Sequence, residues 1–208
     1  MALVIAVAQQ KGGAGKTTLT ANLAASWAAQ RRVALLDIDP QRSLTRWKTV
    51  REARPGAAPL AFSDVSGWRL ANELDRLQRE SDIVLIDTPP QIDADARRAV
   101  RAANLVVIPV QPSMPDLWAA EGTLELARAE QRQVCLVLNR APASSRLRTA
   151  IEQEIAARQL RLASTTLGNR SAYAQAFAQG MGVTEASPRS LAATELRALA
   201  NAIEELLR

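Results

Sequence analysis

The chain has 208 residues, 48% of them hydrophobic, and a formal net charge of +5, enough for one compact α/β domain with a sizeable core and too apolar for a disordered or fibrous chain. Histidine is absent and cysteine occurs once, which excludes Ser-His-Asp and Cys-His catalysis, His-ligated metals, and Cys-rich zinc or iron–sulfur sites within one chain. The chemistry that remains uses carboxylates, hydroxyls, Lys and Arg, backbone amides and a hard metal.

From the start of the chain, Leu3–Ala8 reads as a buried strand. No basic region precedes the apolar stretch Ala2 to Ala8, and a glycine-rich loop follows it in place of a cleavage site, so it is not a signal peptide. A helix is expected over Thr17–Gln30, a strand over Arg32–Asp37, a loop at Arg54–Pro59 and a helix over Gly67–Arg79. Strands follow at Ile83–Asp87, Leu105–Val110 and Val134–Leu138, with a weaker one near Leu160–Thr165, and helices at Ala94–Ala103, Leu117–Glu130, Ser145–Arg158, Asn169–Gln179 and Ser190–Leu207. The strands are nearly continuous in Val, Ile and Leu, as strands covered on both faces are, and they alternate with helices. The expected fold is therefore a single-domain α/β structure with a doubly wound, mostly parallel sheet, whose ligands sit at the carboxyl ends of the strands. No apolar run reaches the ~20 residues of a membrane span, which, with a lone thiol in a buried strand, fits a cytoplasmic protein.

The segment Lys11-Gly12-Gly13-Ala14-Gly15-Lys16-Thr17-Thr18 lies between the first strand and the first helix. Its glycines let successive backbone N–H groups converge on phosphate oxygens, and the helix N-terminus adds positive charge. In this P-loop reading Lys16 reaches the β- and γ-phosphates, the Thr17 hydroxyl ligates Mg2+ and Thr18 contacts the α-phosphate. Lys11, Lys16 and Lys48 are the only lysines in an Arg-rich chain; two slim point charges placed in one glycine-rich loop mark positions that demand Lys. Two strand ends supply carboxylates, Asp37 with Asp39 in one and Asp87 in another, and Asp37 and Asp87 are candidates to hold Mg2+ directly or through water. Asp39 is the candidate carboxylate for positioning water, and Lys11, too early in the loop to be the usual P-loop lysine, is the candidate extra cation. The strand end Asn139-Arg140-Ala141-Pro142 lacks the Asp that guanine recognition uses, which favours adenine, with Asn139 and Pro142 as candidate nucleotide contacts.

These residues resemble the ParA/MinD family of ATPases with a deviant Walker A motif. Lys-Gly-Gly-Ala-Gly-Lys-Thr-Thr is similar to their signature loop, Asp37-Ile38-Asp39-Pro40-Gln41 to switch I, Asp87-Thr88-Pro89 to Walker B and switch II, and Val107 to Asp116 to their proline-rich segment. The resemblance covers the whole chain and is closest to short ParF-like partition proteins without an N-terminal helix-turn-helix extension. It implies an ATP-sandwiched homodimer in which Lys11 crosses to the partner's phosphates and Asp39 orients the attacking water. It also implies nonspecific double-stranded DNA binding on the nucleoid, and slow turnover until a ParB-like or other activator protein stimulates it. Cargo in the family is a plasmid, a chromosome or a protein assembly. Arg140, Arg146, Arg148, Arg158, Arg161 and Arg170 stand against only Glu152 and Glu154 between positions 140 and 170, a set that could track phosphates or be a solvated surface. The resemblance raises Arg170 and Arg189; with Arg146 and Arg148 they are the candidate DNA contacts. A MinD-like regulatory ATPase on a membrane or protein complex is the alternative. The last helix, however, has Ala192, Leu196, Leu199, Ile203 and Leu206 in one core-facing stripe and Glu195, Glu204 and Glu205 on its polar face, which argues against a membrane anchor.

Overall fold

The computed structural model describes residues 2–143 and 145–207. Its elements run in chain order as β1 (Leu3–Val7), α1 (Lys16–Trp27), β2 (Val33–Asp37), α2 (Ser43–Glu52), β3 (Ala61–Ser63), a 3-10 turn (Gly67–Arg69), α3 (Leu70–Glu80), β4 (Ile83–Asp87), α4 (Ala94–Ala102), β5 (Leu105–Val110), α5 (Met114–Ala129), β6 (Gln133–Leu138), α6 (Arg146–Ala157), α7 (Ser171–Ala178), α8 (Val183–Ala186) and α9 (Leu191–Leu206). The strands form one six-stranded sheet in the order β3-β2-β4-β1-β5-β6, with each adjacent pair parallel.

Period-two alternation divides the strand side chains between two apolar layers. Ile5, Val7, Leu35, Leu85, Val107, Cys135 and Val137 pack with α1 and α9 on one face. Val4, Ala6, Leu36, Ile86, Val106, Ile108, Leu136 and Leu138 pack on the other face with α3, α4, α5 and α6. The continuous Val/Ile/Leu runs have this origin: the residues of the central strands β2, β4, β1 and β5 are almost all buried under a helical layer on one side or the other. Ala192, Leu196, Leu199 and Ile203 of α9 are buried in the first layer, so the stripe in the last helix faces the core. No helix among the described residues is long and apolar enough to cross a membrane.

Several elements differ from the sequence expectation, among them the short helix α8, which falls where none is expected. The segment 160–165 is not a strand; it touches the sheet edge through a single parallel bridge, Leu136 to Leu162. β3, only three residues long, pairs with β2 as the opposite edge. Helix α2 appears where no helix is expected, because its inward stripe of Leu44, Trp47, Lys48 and Arg51 contains two cations. Arg51 is buried against Glu185 at 2.7 Å, and the Lys48 ammonium lies 6.0 Å from the Phe62 ring centroid.

Candidate nucleotide site

Register brings the site together. Val7, Asp87 and Asp37 are paired across β1, β4 and β2, so the start of the glycine-rich loop and both acidic strand ends emerge at one level of the sheet's carboxyl edge. The loop closes on α1 through Gly15, at φ +95°, the left-handed region. A Cβ there would stand 2.4 Å from Asn139 Nδ2, so both backbone conformation and space call for glycine. Asn139 donates that amide to the Ala14 carbonyl at 2.8 Å, tying the end of β6 to the loop.

Two cavities meet at Gly15 and Thr18. The smaller, about 270 Å³, is lined by Gly12, Gly13, Lys16, Thr17 and Asp39 with Gln41, Ser43, Pro90 and Arg140. Its convergent amides, buried lysine and hydroxyl suit phosphate. The larger, about 440 Å³, is walled by Leu19, Leu167, Tyr173 and Leu196 and edged by Asn22, Asn139, Asn169 and Arg170, an apolar slot with polar rims of the kind that takes a planar base.

Lys16 is 6% exposed. Burial pushes its ammonium pKa below the ordinary lysine value, and the carboxylates of Asp87 and Asp39 pull it back up. Asp87 is fully buried; desolvation, reinforced by Asp37, pushes its carboxyl up to about 8 against the lowering effect of the Thr17 hydroxyl and Lys16. The Thr17 hydroxyl donates to Asp87 Oδ2 at 2.7 Å, and Thr20 Oγ1 lies 3.4 Å from Oδ1. Among the described residues no cluster of three carboxylates, thiols or imidazoles could cage a cation. A metal at Thr17 and Asp87 would therefore draw most of its ligands from phosphate and water, as Mg2+ does beside a nucleotide, so the donors present fit that ion.

The two switch-I aspartates part company. Asp37 does not line the phosphate cavity; its Oδ2 accepts from the Thr45 amide at 2.8 Å and the Thr45 hydroxyl at 2.7 Å, and its Oδ1 from the Asp39 amide at 3.1 Å. Asp37, expected to hold Mg2+ directly or through water, has both carboxylate oxygens engaged here by donors of residues 39 and 45, which tie the switch segment to the end of β2. Asp39 lines the cavity and accepts from the Gln41 amide at 2.9 Å through one oxygen.

Lys11 does not line the phosphate cavity. Its ammonium sits 2.5 Å from Asp116 Oδ2, the lysine side chain 40% exposed and the aspartate 2%. Asp116 stands in the first turn of α5, accepts from the capping Ser113 hydroxyl at 2.7 Å, and is braced by Gln9, which donates to its backbone carbonyl at 3.4 Å. The sequence places Asp116 in the proline-rich segment but gives no hint of this partner. Asn139 lines the larger cavity, whereas Pro142 is exposed and lines neither.

The candidate DNA arginines are not equivalent. Arg146 and Arg189 are exposed. Arg148 pairs with Glu152 at 2.8 Å. Arg170 forms a bidentate pair with Glu195 at 2.9 and 2.6 Å, in the wall of the larger cavity.

A glycine-rich loop between a central parallel strand and a buried helix, with acidic ends on adjacent strands, defines a P-loop nucleotide-binding protein. Residues 5–183 match the CobQ/CobB/MinD/ParA nucleotide binding domain, and the chain belongs to that family. Maintenance of carboxysome distribution protein A of Halothiobacillus neapolitanus is 31% identical over 205 residues, spanning 93% of this chain and 92% of that protein. The fold matches a Cyanothece McdA variant in complex with ATP with a TM-score of 0.77 at 19% identity, over 98% of this chain and 96% of that one. It also matches the septum site-determining protein MinD of Pyrococcus horikoshii complexed with Mg-ADP, with a TM-score of 0.78 at 18% identity, over 99% and 97% of the two chains.

Proposed function

We propose that this protein is an ATP-hydrolysing dimer switch, made of a single ATPase domain, that partitions or positions cargo along nucleoid DNA. The observation that carries the reading is the division of labour between two lysines. Lys16 lies buried under the phosphate cavity, whereas Lys11, five residues earlier, is held outside it on Asp116. A second cation that does not line its own subunit's phosphate cavity is suited to a partner's, so two subunits face to face complete each other's site. The nucleotide-bound states of the structural neighbours and the positioning role in the name of the Halothiobacillus relative support the same reading.

In this account Gly12, Gly13, Ala14, Gly15, Lys16 and Thr18 bind the ATP phosphates through backbone amides, ammonium and hydroxyl. Thr17 and Asp87 would hold Mg2+, which neutralises phosphate charge when bound. Asp39 orients the attacking water, and Lys11 from the partner steadies charge as it develops on the phosphoryl group. Asp37 keeps the Asp39 segment in place. Asn139 frames the adenine cavity. Arg146 and Arg189 are the cations we assign to double-stranded DNA, bound through phosphate without base readout, so that binding falls with salt. A ParB-like or other activator raises turnover and releases the dimer.

Fluorescence anisotropy of a labelled random-sequence duplex, titrated in Mg-ATP and in Mg-ADP, tests the DNA arm. Salt-sensitive binding in ATP alone supports it. ATP-driven dimerisation with no DNA binding in either nucleotide would instead point to a MinD-like switch acting on a protein or membrane track.

A further inference from the structure

The phosphate cavity and the base cavity share three lining residues, Gly15, Thr18 and Arg140, and only Arg140 is charged. It follows Asn139, whose side chain is fixed at both ends: Nδ2 donates to the Ala14 carbonyl at 2.8 Å and Oδ1 accepts from the Arg140 amide at 3.0 Å. The chain then turns sharply, placing Arg140 at φ +52°, a conformation non-glycine residues adopt only where their surroundings impose it. Arg148, Arg158 and Arg170 each have a carboxylate partner. Arg140 is exposed and, among the described residues, has no carboxylate within salt-bridge distance.

We propose that Arg140 is a nucleotide clamp whose guanidinium binds the α-phosphate where the nucleotide passes from one cavity to the other. The inference rests on the ATP-binding reading above and adds a specific residue to it. A base in the larger cavity and terminal phosphates against Lys16 leave the ribose and α-phosphate at the junction, which Arg140 borders. A guanidinium fork without a carboxylate partner is the side chain suited to a phosphate oxygen pair there. Because ATP and ADP share the α-phosphate, the contact stabilises substrate and product alike and acts on KM and ADP residence rather than on cleavage. Arg140 thus sets how long the protein stays loaded with ADP after each turnover.

The test is calorimetric titration of the full chain with ADP and with ATP, for wild type, Arg140→Gly and Arg140→Lys. Glycine removes the side chain while accepting the left-handed backbone, and circular dichroism checks that the variants fold. The expected result is about tenfold or greater weakening of both nucleotides in Arg140→Gly, with most of the affinity restored by Arg140→Lys, which keeps the charge. Unchanged ADP affinity in Arg140→Gly overturns the proposal, as does a loss confined to ATP. A lysine variant no better than glycine also overturns it, because a phosphate contact needs the charge. Failure of the wild-type protein to bind either nucleotide would overturn the ATP reading itself and would be evident before any substitution is compared.

Discussion

Lys11 and Asp116 are 105 residues apart in sequence, and their charged atoms lie 2.5 Å apart. The aspartate is buried and the lysine is not, so the pair is anchored from the α5 side and the ammonium is its solvent-facing member. For Lys11 to reach a partner subunit it must leave a carboxylate that keeps the Ser113 hydroxyl at 2.7 Å as its remaining close contact. Breaking a pair with a buried member is costly because it strands a charge in a poorly solvated position.

Replacing Asp116 with Asn removes that hold. Asp116→Asn should dimerise in Mg-ATP at a protein concentration about threefold or more below that of wild type, since the free monomer no longer competes for Lys11. Sedimentation velocity across a concentration series reads this out. A weaker dimer in Asp116→Asn would mean that the aspartate presents Lys11 to the partner rather than withholding it.

At Gly15, the left-handed backbone and the 2.4 Å approach of Asn139 act together. Gly15→Ala should cost about 2 kcal/mol in urea unfolding and abolish nucleotide binding, because the Asn139 brace must move for the methyl group to fit. Wild-type ATP affinity in a folded Gly15→Ala protein would show that the brace is dispensable.

The raised carboxyl of Asp87 makes stability depend on pH in a direction that follows from linkage. In the unfolded chain the group ionises near pH 4, and in the folded protein at about 8. The folded state therefore binds more protons between those values, and stability falls as pH rises through that window. Asp87→Asn removes this penalty. Without nucleotide or Mg2+, the variant should gain on wild type in urea midpoint as pH is raised from about 5 to about 8. Parallel pH profiles would show that Asp87 ionises normally.

Leu196 is fully buried in α9 and packs in the layer containing α1. Leu196→Ala should destabilise by about 3 kcal/mol, as a core residue does. A chain whose last helix served to hold a lipid surface would instead show little loss of stability and a loss of vesicle binding.

The sheet was legible because parallel strands covered on both faces leave long Val/Ile/Leu runs, and the P-loop because its spacing, strand and helix are all local. α2 was hidden by Lys48 and Arg51, which fill positions that usually carry apolar side chains; the partner of Arg51, Glu185, is distant in sequence and gives no local signal. The segment 160–165 has strand-like composition but only one bridging residue. At the site, the sequence separates Asp37, for Mg2+, from Asp39, for water, but it does not reveal that Asp37 accepts bonds from Thr45 while Asp39 lines the cavity. The roles of Asp116, Arg140 and Glu195 depend on contacts between distant segments, which no local pattern encodes.

The most direct test of the switch is multi-angle light scattering of wild type and Lys11→Ala in Mg-AMPPNP and in Mg-ADP. The account predicts a wild-type dimer in the ATP analogue only, and a Lys11→Ala protein that binds nucleotide but stays monomeric. A wild-type monomer saturated with the analogue, or a Lys11→Ala dimer as stable as wild type, would contradict it.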